Sequence, residues 1–145
     1  MNGGDLSAAF TASVEAIMRQ ASQAAIIPHY RKLGEGEVIE KASDDVVTVA
    51  DHESEAILTE LLGNLLPEAA IVGEEAAFAD PSIFERLREG LSWIVDPLDG
   101  TNNFASGKPP FGVLVALADG GETIGGLILD CLTGRFCHAT AAGGA

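Results

Sequence analysis

The sequence predicts an α+β fold: two long helices packed on an antiparallel sheet. Three observations carry this. Two stretches with helical apolar spacing lie before residue 66. Three apolar runs joined by glycine turns lie between residues 111 and 139. Helices come first and strands later, unlike the alternation of a parallel α/β chain.

The first helix rests on Leu6, Phe10, Val14, Ile17, Ala21 and Ala25, which recur every three or four residues. Asp5 or Ser7 is its candidate N-cap, and Pro28 ends it near Ile27. Gly34-Glu35-Gly36 is a turn, followed by short strands over residues 37–40 and 45–47. Thr48-Val49-Ala50-Asp51 has the form of a capping box, with Asp where Glu is usual. It starts the second helix, whose buried face is Ile57, Leu58, Leu61, Leu62 and Leu65, with Pro67 beyond its end. Residues 69–72 read as a buried strand that emerges into a polar loop, Gly73-Glu74-Glu75. Residues 81–89 read as a short helix with Pro at its first turn.

Residues 92–95 are another buried strand, ending in Asp96-Pro97-Leu98-Asp99-Gly100-Thr101, with a helical turn over Asn102-Asn103-Phe104. Residues 111–118, 122–129 and 135–139 then read as antiparallel strands, joined at Asp119-Gly120-Gly121 and Thr133-Gly134. Trp93 and Phe104 flank the acidic stretch and are assigned to the core.

Composition narrows the function. At 145 residues, 47% hydrophobic and 21% charged, the chain is globular rather than disordered. A net charge of −14 argues against nucleic acid polymers and anionic membranes as partners. Cys131 and Cys137 are too few for a disulfide scaffold and read as buried or half-buried thiols. Residues 1–9 lack a basic stretch followed by an apolar one, and no apolar run approaches the roughly 20 residues of a membrane span. A cytoplasmic location is expected.

The acids are not spread evenly. One buried strand ends in Glu74 and Glu75, the other in Asp96 and Asp99. Strands adjacent in a sheet set such ends side by side, and carboxylates so gathered repel unless a cation sits among them. Hard oxygen donors select Mg²⁺, Mn²⁺ or Ca²⁺ over zinc. Pro97 stiffens the second end and leaves the Leu98 carbonyl free as a further ligand. Gly100 permits close backbone approach, and the amides that follow suit phosphate oxygens. Metal ligands followed at once by an anion cradle suit phosphoryl transfer to water. The Asp-x-Asp-x-Thr spacing of covalent aspartyl-phosphate enzymes is absent.

The segment from Trp93 to Phe104 resembles the signature of the inositol monophosphatase family of lithium-sensitive, Mg²⁺-dependent phosphatases. Gly73-Glu74-Glu75 resembles that family's other acidic motif, and residues 45–51 resemble the stretch before its second helix. The resemblance implies the amino-terminal part of an αβαβα sandwich, with residues 1–145 as a metal- and phosphate-binding domain. It implies Glu74, Asp96 and the Leu98 carbonyl as ligands of a first Mg²⁺, and Asp96 and Asp99 as ligands of a second; two or three ions are expected, with Mn²⁺ as a substitute. Glu75 is implied to hold these acids in place. Gly100, Thr101 and Asp99 would bind the substrate's phosphate, and Thr101 would orient the attacking water with Asp51 accepting its proton. Attack is implied to be direct, with no phospho-enzyme. The substrate is a small phosphorylated polyol, sugar or nucleotide, and a homodimer is expected.

Two departures qualify that expectation. The family's Lys eleven residues before the matched Asp51 is here Glu40, with Lys41 one place later. Nothing here matches the family's later Trp-Asp motif, which supplies a further metal-binding Asp, so a carboxy-terminal domain is expected to be absent and activity of these residues alone low. The alternative is a non-catalytic fragment that binds divalent metal or acts as an interaction module.

Overall fold

The computed structural model describes residues 7–141. Asp5 and Leu6, assigned above to the first helix, lie outside the described residues. Ser7 caps α1 (Ala8–Ala21), its side chain accepting from the Phe10 amide, and Val14, Met18 and Ala21 are buried along one face. The helix does not stop before Pro28. It widens into a π turn, Ser22–Ile26, then tightens into a 3-10 turn, Ile27–His29, with Pro28 in its first positions. Proline is tolerated there because the amide it lacks has no helical partner to lose.

A hairpin follows, β1 (Val38–Ala42) and β2 (Asp45–Thr48), forming its own two-stranded sheet. Its register jumps from Glu40 opposite Val46 to Ala42 opposite Asp45, so Lys41 sits in a bulge. Helix α2 (Val49–Leu65) begins at the predicted capping box, with the Thr48 amide donating to Asp51 at 2.8 Å and the Ala50 amide to the Thr48 hydroxyl at 3.2 Å.

The main sheet has five strands in chain order: β3 (Ala70–Gly73), β4 (Leu91–Asp99), β5 (Gly112–Asp119), β6 (Glu122–Asp130) and β7 (Phe136–Thr140). The β4 to β7 neighbours are antiparallel, as the turns require. β3 is the exception and runs parallel to β4. The intervening chain is long enough to cross back over: helix α3 (Glu74–Ala79), then a 3-10 helix, Pro81–Leu87, inside the short helix read over residues 81–89. The predicted polar loop at Glu74 is the first turn of α3. β4 runs on through the acidic stretch to Asp99 with a register break between Asp96 and Asp99, because Pro97 has no amide to donate to the ladder. A short helix, α4 (Thr101–Ala105), follows.

One face of the sheet makes the core with α1 and α2. Trp93, Val95, Val115, Leu117 and Leu127 meet Met18, Leu58 and Leu62 there, all 2% exposed or less. Trp93 stacks on Phe10 at 5.8 Å. The thiols differ from expectation in part: Cys131 is half-buried, and burial pushes its thiol up to about 11, but Cys137 on β7 is exposed. Among the described residues no helix is long and apolar enough to cross a membrane.

Leu58 is fully buried between α2 and the sheet. Leu58→Ala is expected to lower stability by about 3 kcal/mol, read as a reduced urea midpoint at unchanged slope.

Candidate active site

The parallel pairing of β3 and β4 positions the acids. Val72 lies opposite Ile94 and Gly73 opposite Val95, so the next residues, Glu74 at the start of α3 and Asp96 still within β4, come side by side. Their carboxyls come within hydrogen-bonding reach. Burial first, then the hydrogen bond and charge of Glu74 and the charge of Asp99, push the Asp96 carboxyl up to about 8. One Asp96 oxygen accepts from the Leu98 amide at 3.3 Å. Asp99 is exposed at the strand end.

Beyond the break, Gly100 takes a left-handed conformation, φ 82°, and starts α4. A Cβ there would sit 2.7 Å from the Pro110 carbonyl oxygen, so no larger residue fits. The Thr101 hydroxyl then lies 2.9 Å from Asp51 Oδ1 and 2.8 Å from the Leu98 carbonyl oxygen, two acceptors for its one proton. Asp51 is 1% exposed, and its other oxygen accepts from the Thr48 hydroxyl at 2.7 Å as well as from the Thr48 amide. Burial raises the Asp51 carboxyl above its usual range despite those donors. The capping and catalytic readings of Asp51 are therefore compatible: Oδ2 closes the cap and Oδ1 faces Thr101.

The bulge turns Lys41 inward. Its ammonium lies 3.1 Å from Glu75 and 3.7 Å from Glu74, with the side chain only 8% exposed, while Glu40 faces solvent. Burial pulls the Lys41 ammonium down, but the Glu75 hydrogen bond and the carboxylates of Glu75, Glu74 and Asp45 outweigh it and its pKa rises. Glu75 is raised by its burial, with Lys41 opposing. Asn102 ties the hairpin to α4, accepting from the Val46 amide at 3.3 Å and donating to the Asp44 carbonyl at 2.6 Å.

These parts enclose a cavity of about 260 Å³, lined by Asp45, Glu74, Asp96, Leu98, Asp99, Gly100, Thr101 and Asn102. Every residue assigned above to metal or phosphate lines it, and Asp51 touches it through Thr101.

The sequence profile of the inositol monophosphatase family matches residues 5–145. The chain belongs to the inositol monophosphatase family. It is 36% identical over 106 residues to the Nus factor SuhB of Vibrio cholerae, which covers 73% of this chain and 38% of that protein. It is 35% identical over 99 residues to an inositol-1-monophosphatase of Mycobacterium leprae, 68% of this chain and 33% of that one. The crystal structure of the extragenic suppressor protein suhB from Bartonella henselae superposes with a TM-score of 0.79 at 26% identity, over 94% of this chain and 51% of the other. The chain therefore spans about a third to a half of the length of the relatives it matches.

A family phosphatase needs its metal, and the donors can be tested for it. Among the described residues, no three His, Cys, Asp or Glu side chains stand close enough to close on an ion as they are. The donor chemistry fits a hard cation all the same. Glu74, Asp96, Asp99 and the Leu98 carbonyl offer only oxygens around one cavity. Burial, and then Glu74 and Asp99, raise the Asp96 carboxyl, and a cation among these oxygens would relieve that repulsion.

Two supporting residues escaped the sequence reading. Ser54 donates to the Pro97 carbonyl at 2.8 Å, pinning the acidic bend to α2. Glu55 accepts from the Glu75 and Ala76 amides at 2.8 and 2.9 Å, capping α3. The signal was present: Asp51, Ser54, Glu55 and Leu58 share one helix face by spacing. A Cβ on Gly73 would lie 2.5 Å from the Glu55 carboxyl, so this cap depends on the glycine before the motif. The histidines stay outside: His29 bonds Glu53 at 3.0 Å, His52 is exposed and His138 is on β7.

A carboxyl raised from about 4 to about 8 binds a proton in the folded state that the unfolded chain has lost between those values. Its contribution therefore destabilises the fold as pH rises through that window. Without divalent metal, the unfolding free energy should fall between pH 5 and 8 by no more than about 1.4 kcal/mol per pH unit, less after solvent screening, read as a falling melting temperature. Asp96→Asn should flatten the slope. Lys41→Met should cost about 3 kcal/mol by leaving Glu75 without its partner, while Glu40→Ala changes urea stability little.

Proposed function

We propose that this chain carries the metal- and phosphate-binding half of a Mg²⁺-dependent phosphatase that hydrolyses the phosphate monoester of a small polyol, sugar or nucleotide. The observation that carries the reading is the run of contacts from Asp51 through the Thr101 hydroxyl to the Leu98 carbonyl, at 2.9 and 2.8 Å, beside the Glu74–Asp96 pair. Glu74, Asp96, Asp99 and the Leu98 carbonyl would hold Mg²⁺, or Mn²⁺ in its place. Bound there, the ions supply a more acidic water and stabilise the oxygen of the departing alcohol.

The chain's own groups do the remaining work. Thr101 donates to Asp51 and turns its lone pairs outward, where one accepts a proton from a water in line with the phosphorus. Asp51, made more basic by burial, receives the proton relayed through that hydroxyl. The new P–O bond forms as the ester P–O bond breaks, and the leaving alkoxide departs as the alcohol after taking a proton from solvent. The Gly100 and Thr101 amides, open at the start of α4, are set to hold the phosphate oxygens as charge develops. Glu75 orients the acids through Lys41. A cytoplasmic location and a homodimer belong to this reading.

Phosphate release from inositol-1-phosphate, fructose-1,6-bisphosphate and 2′-AMP, at millimolar Mg²⁺, tests it. Low turnover that Asp96→Asn and Thr101→Ala each reduce further, toward the uncatalysed background, is the expected outcome. Absence of turnover, with Mg²⁺ still raising the melting temperature, would instead establish the non-catalytic metal-binding alternative.

A further inference from the structure

Glu55 does not line the acidic cavity, yet it governs how one wall residue enters it. Its two carboxylate oxygens accept separately from the Glu75 and Ala76 amides, at 2.8 and 2.9 Å. The Glu75 amide shares a rigid peptide plane with the Glu74 Cα. Holding that plane fixes the direction in which the Glu74 side chain leaves the backbone. Packing contributes little to that direction, because the Glu74 side chain is 45% exposed and the Lys41 ammonium stands 3.7 Å away. Gly73 makes room for the arrangement. A Cβ there would lie 2.5 Å from the Glu55 carboxyl carbon and 2.7 and 2.8 Å from its oxygens. Its φ of −92° suits any residue, so the Glu55 carboxylate, and not backbone strain, excludes a side chain.

The other acidic stretch is held from the adjacent position. Ser54 is fully buried and donates to the Pro97 carbonyl at 2.8 Å, between Asp96 and Leu98. Both oxygen-bearing stretches therefore hang from neighbouring residues of α2, which Leu58 and Leu62 anchor in the core. Donors fixed from outside discriminate between cations of equal charge. Mg²⁺ demands near-ideal octahedral oxygens at about 2.0–2.1 Å, whereas Ca²⁺ accepts about six to eight at about 2.3–2.6 Å in flexible arrangements. Loosening the donors thus costs Mg²⁺ more than Ca²⁺. The charge of Glu55 attracts both ions alike and cancels from their ratio, so its placement is what the ratio reads. We propose that Glu55 is a positioning residue that makes the cavity selective for Mg²⁺ over Ca²⁺, a role that rests on the cation-binding part of the function proposed above and not on turnover.

Dissociation constants for Mg²⁺ and for Ca²⁺ follow from the rise in melting temperature along a titration, taken against each variant's own metal-free value. A residue that only supported the fold would move the metal-free value and leave the ratio alone. In Gly73→Ala the Glu55 carboxylate keeps its charge and loses its place. In Glu55→Gln the charge goes and one acceptor remains. The expected result in both is Mg²⁺ binding weakened by about tenfold or more, with Ca²⁺ binding weakened less. Gly73→Ala added to Glu55→Ala should move the ratio no further, since the carboxyl it collides with is gone. Equal weakening of the two ions in Gly73→Ala or in Glu55→Gln would overturn the proposal. An unaltered chain whose melting temperature neither ion raises would sink the cation-binding reading itself, and the proposal with it.

Discussion

The site depends on one backbone constraint, the parallel register of β3 with β4. With Gly73 opposite Val95, Glu74 at the end of β3 and Asp96 in β4 fall at the same level of the sheet. An antiparallel β3 would send its acids to the far end of the molecule. The crossover through α3 makes the parallel arrangement possible, and it places the start of that helix at the mouth of the cavity. Ligand sites lie beyond the carboxyl ends of parallel strands for the same reason.

Gathering acids has an electrostatic cost, and the neighbouring elements divide it. Lys41 compensates Glu75 and part of Glu74, reaching them through a bulge in β1 that restores the direction a one-residue offset would have spoiled. Asn102 holds that hairpin on α4. Glu55 satisfies the first amides of α3, although it adds another carboxylate nearby. Asp96 has no cation beside it among the described residues, and burial, Glu74 and Asp99 raise its carboxyl. The gathering of Glu74, Asp96 and Asp99 around one cavity is the physical reason to expect a cation, because adjacent carboxylates repel unless a proton or an ion lies between them.

Helix α2 connects fold and chemistry. Its apolar residues Leu58 and Leu62 lock it to the sheet, and its first turns present Asp51 to Thr101, Ser54 to Pro97 and Glu55 to α3. Below α4, Tyr30, Phe104 and Phe111 pack with centroids 4.8 to 5.9 Å apart and fix the floor of the phosphate-facing loop. The groups that would act are thus carried on packed elements, as positioning to fractions of an ångström requires.

Much of this was legible in the chain alone. Apolar spacing placed both helices, Thr48 and Asp51 announced the cap, and glycine turns separated the last three strands, because each of these is set by neighbours within a few residues. The residues assigned to metal or phosphate are those that line the cavity, save Asp45 and Asn102, which lay inside the quoted motifs without a role. Three features were not legible. The direction of β3 follows from a crossover whose helix was hidden in an apparent polar loop. The inward turn of Lys41 follows from a bulge that only pairing with β2 creates. The roles of Ser54 and Glu55 follow from partners 43 and 20 residues away. Local sequence determines which elements form and which side chains can do chemistry. The meeting of those side chains is decided by strand direction and register, which depend on what the rest of the chain packs against.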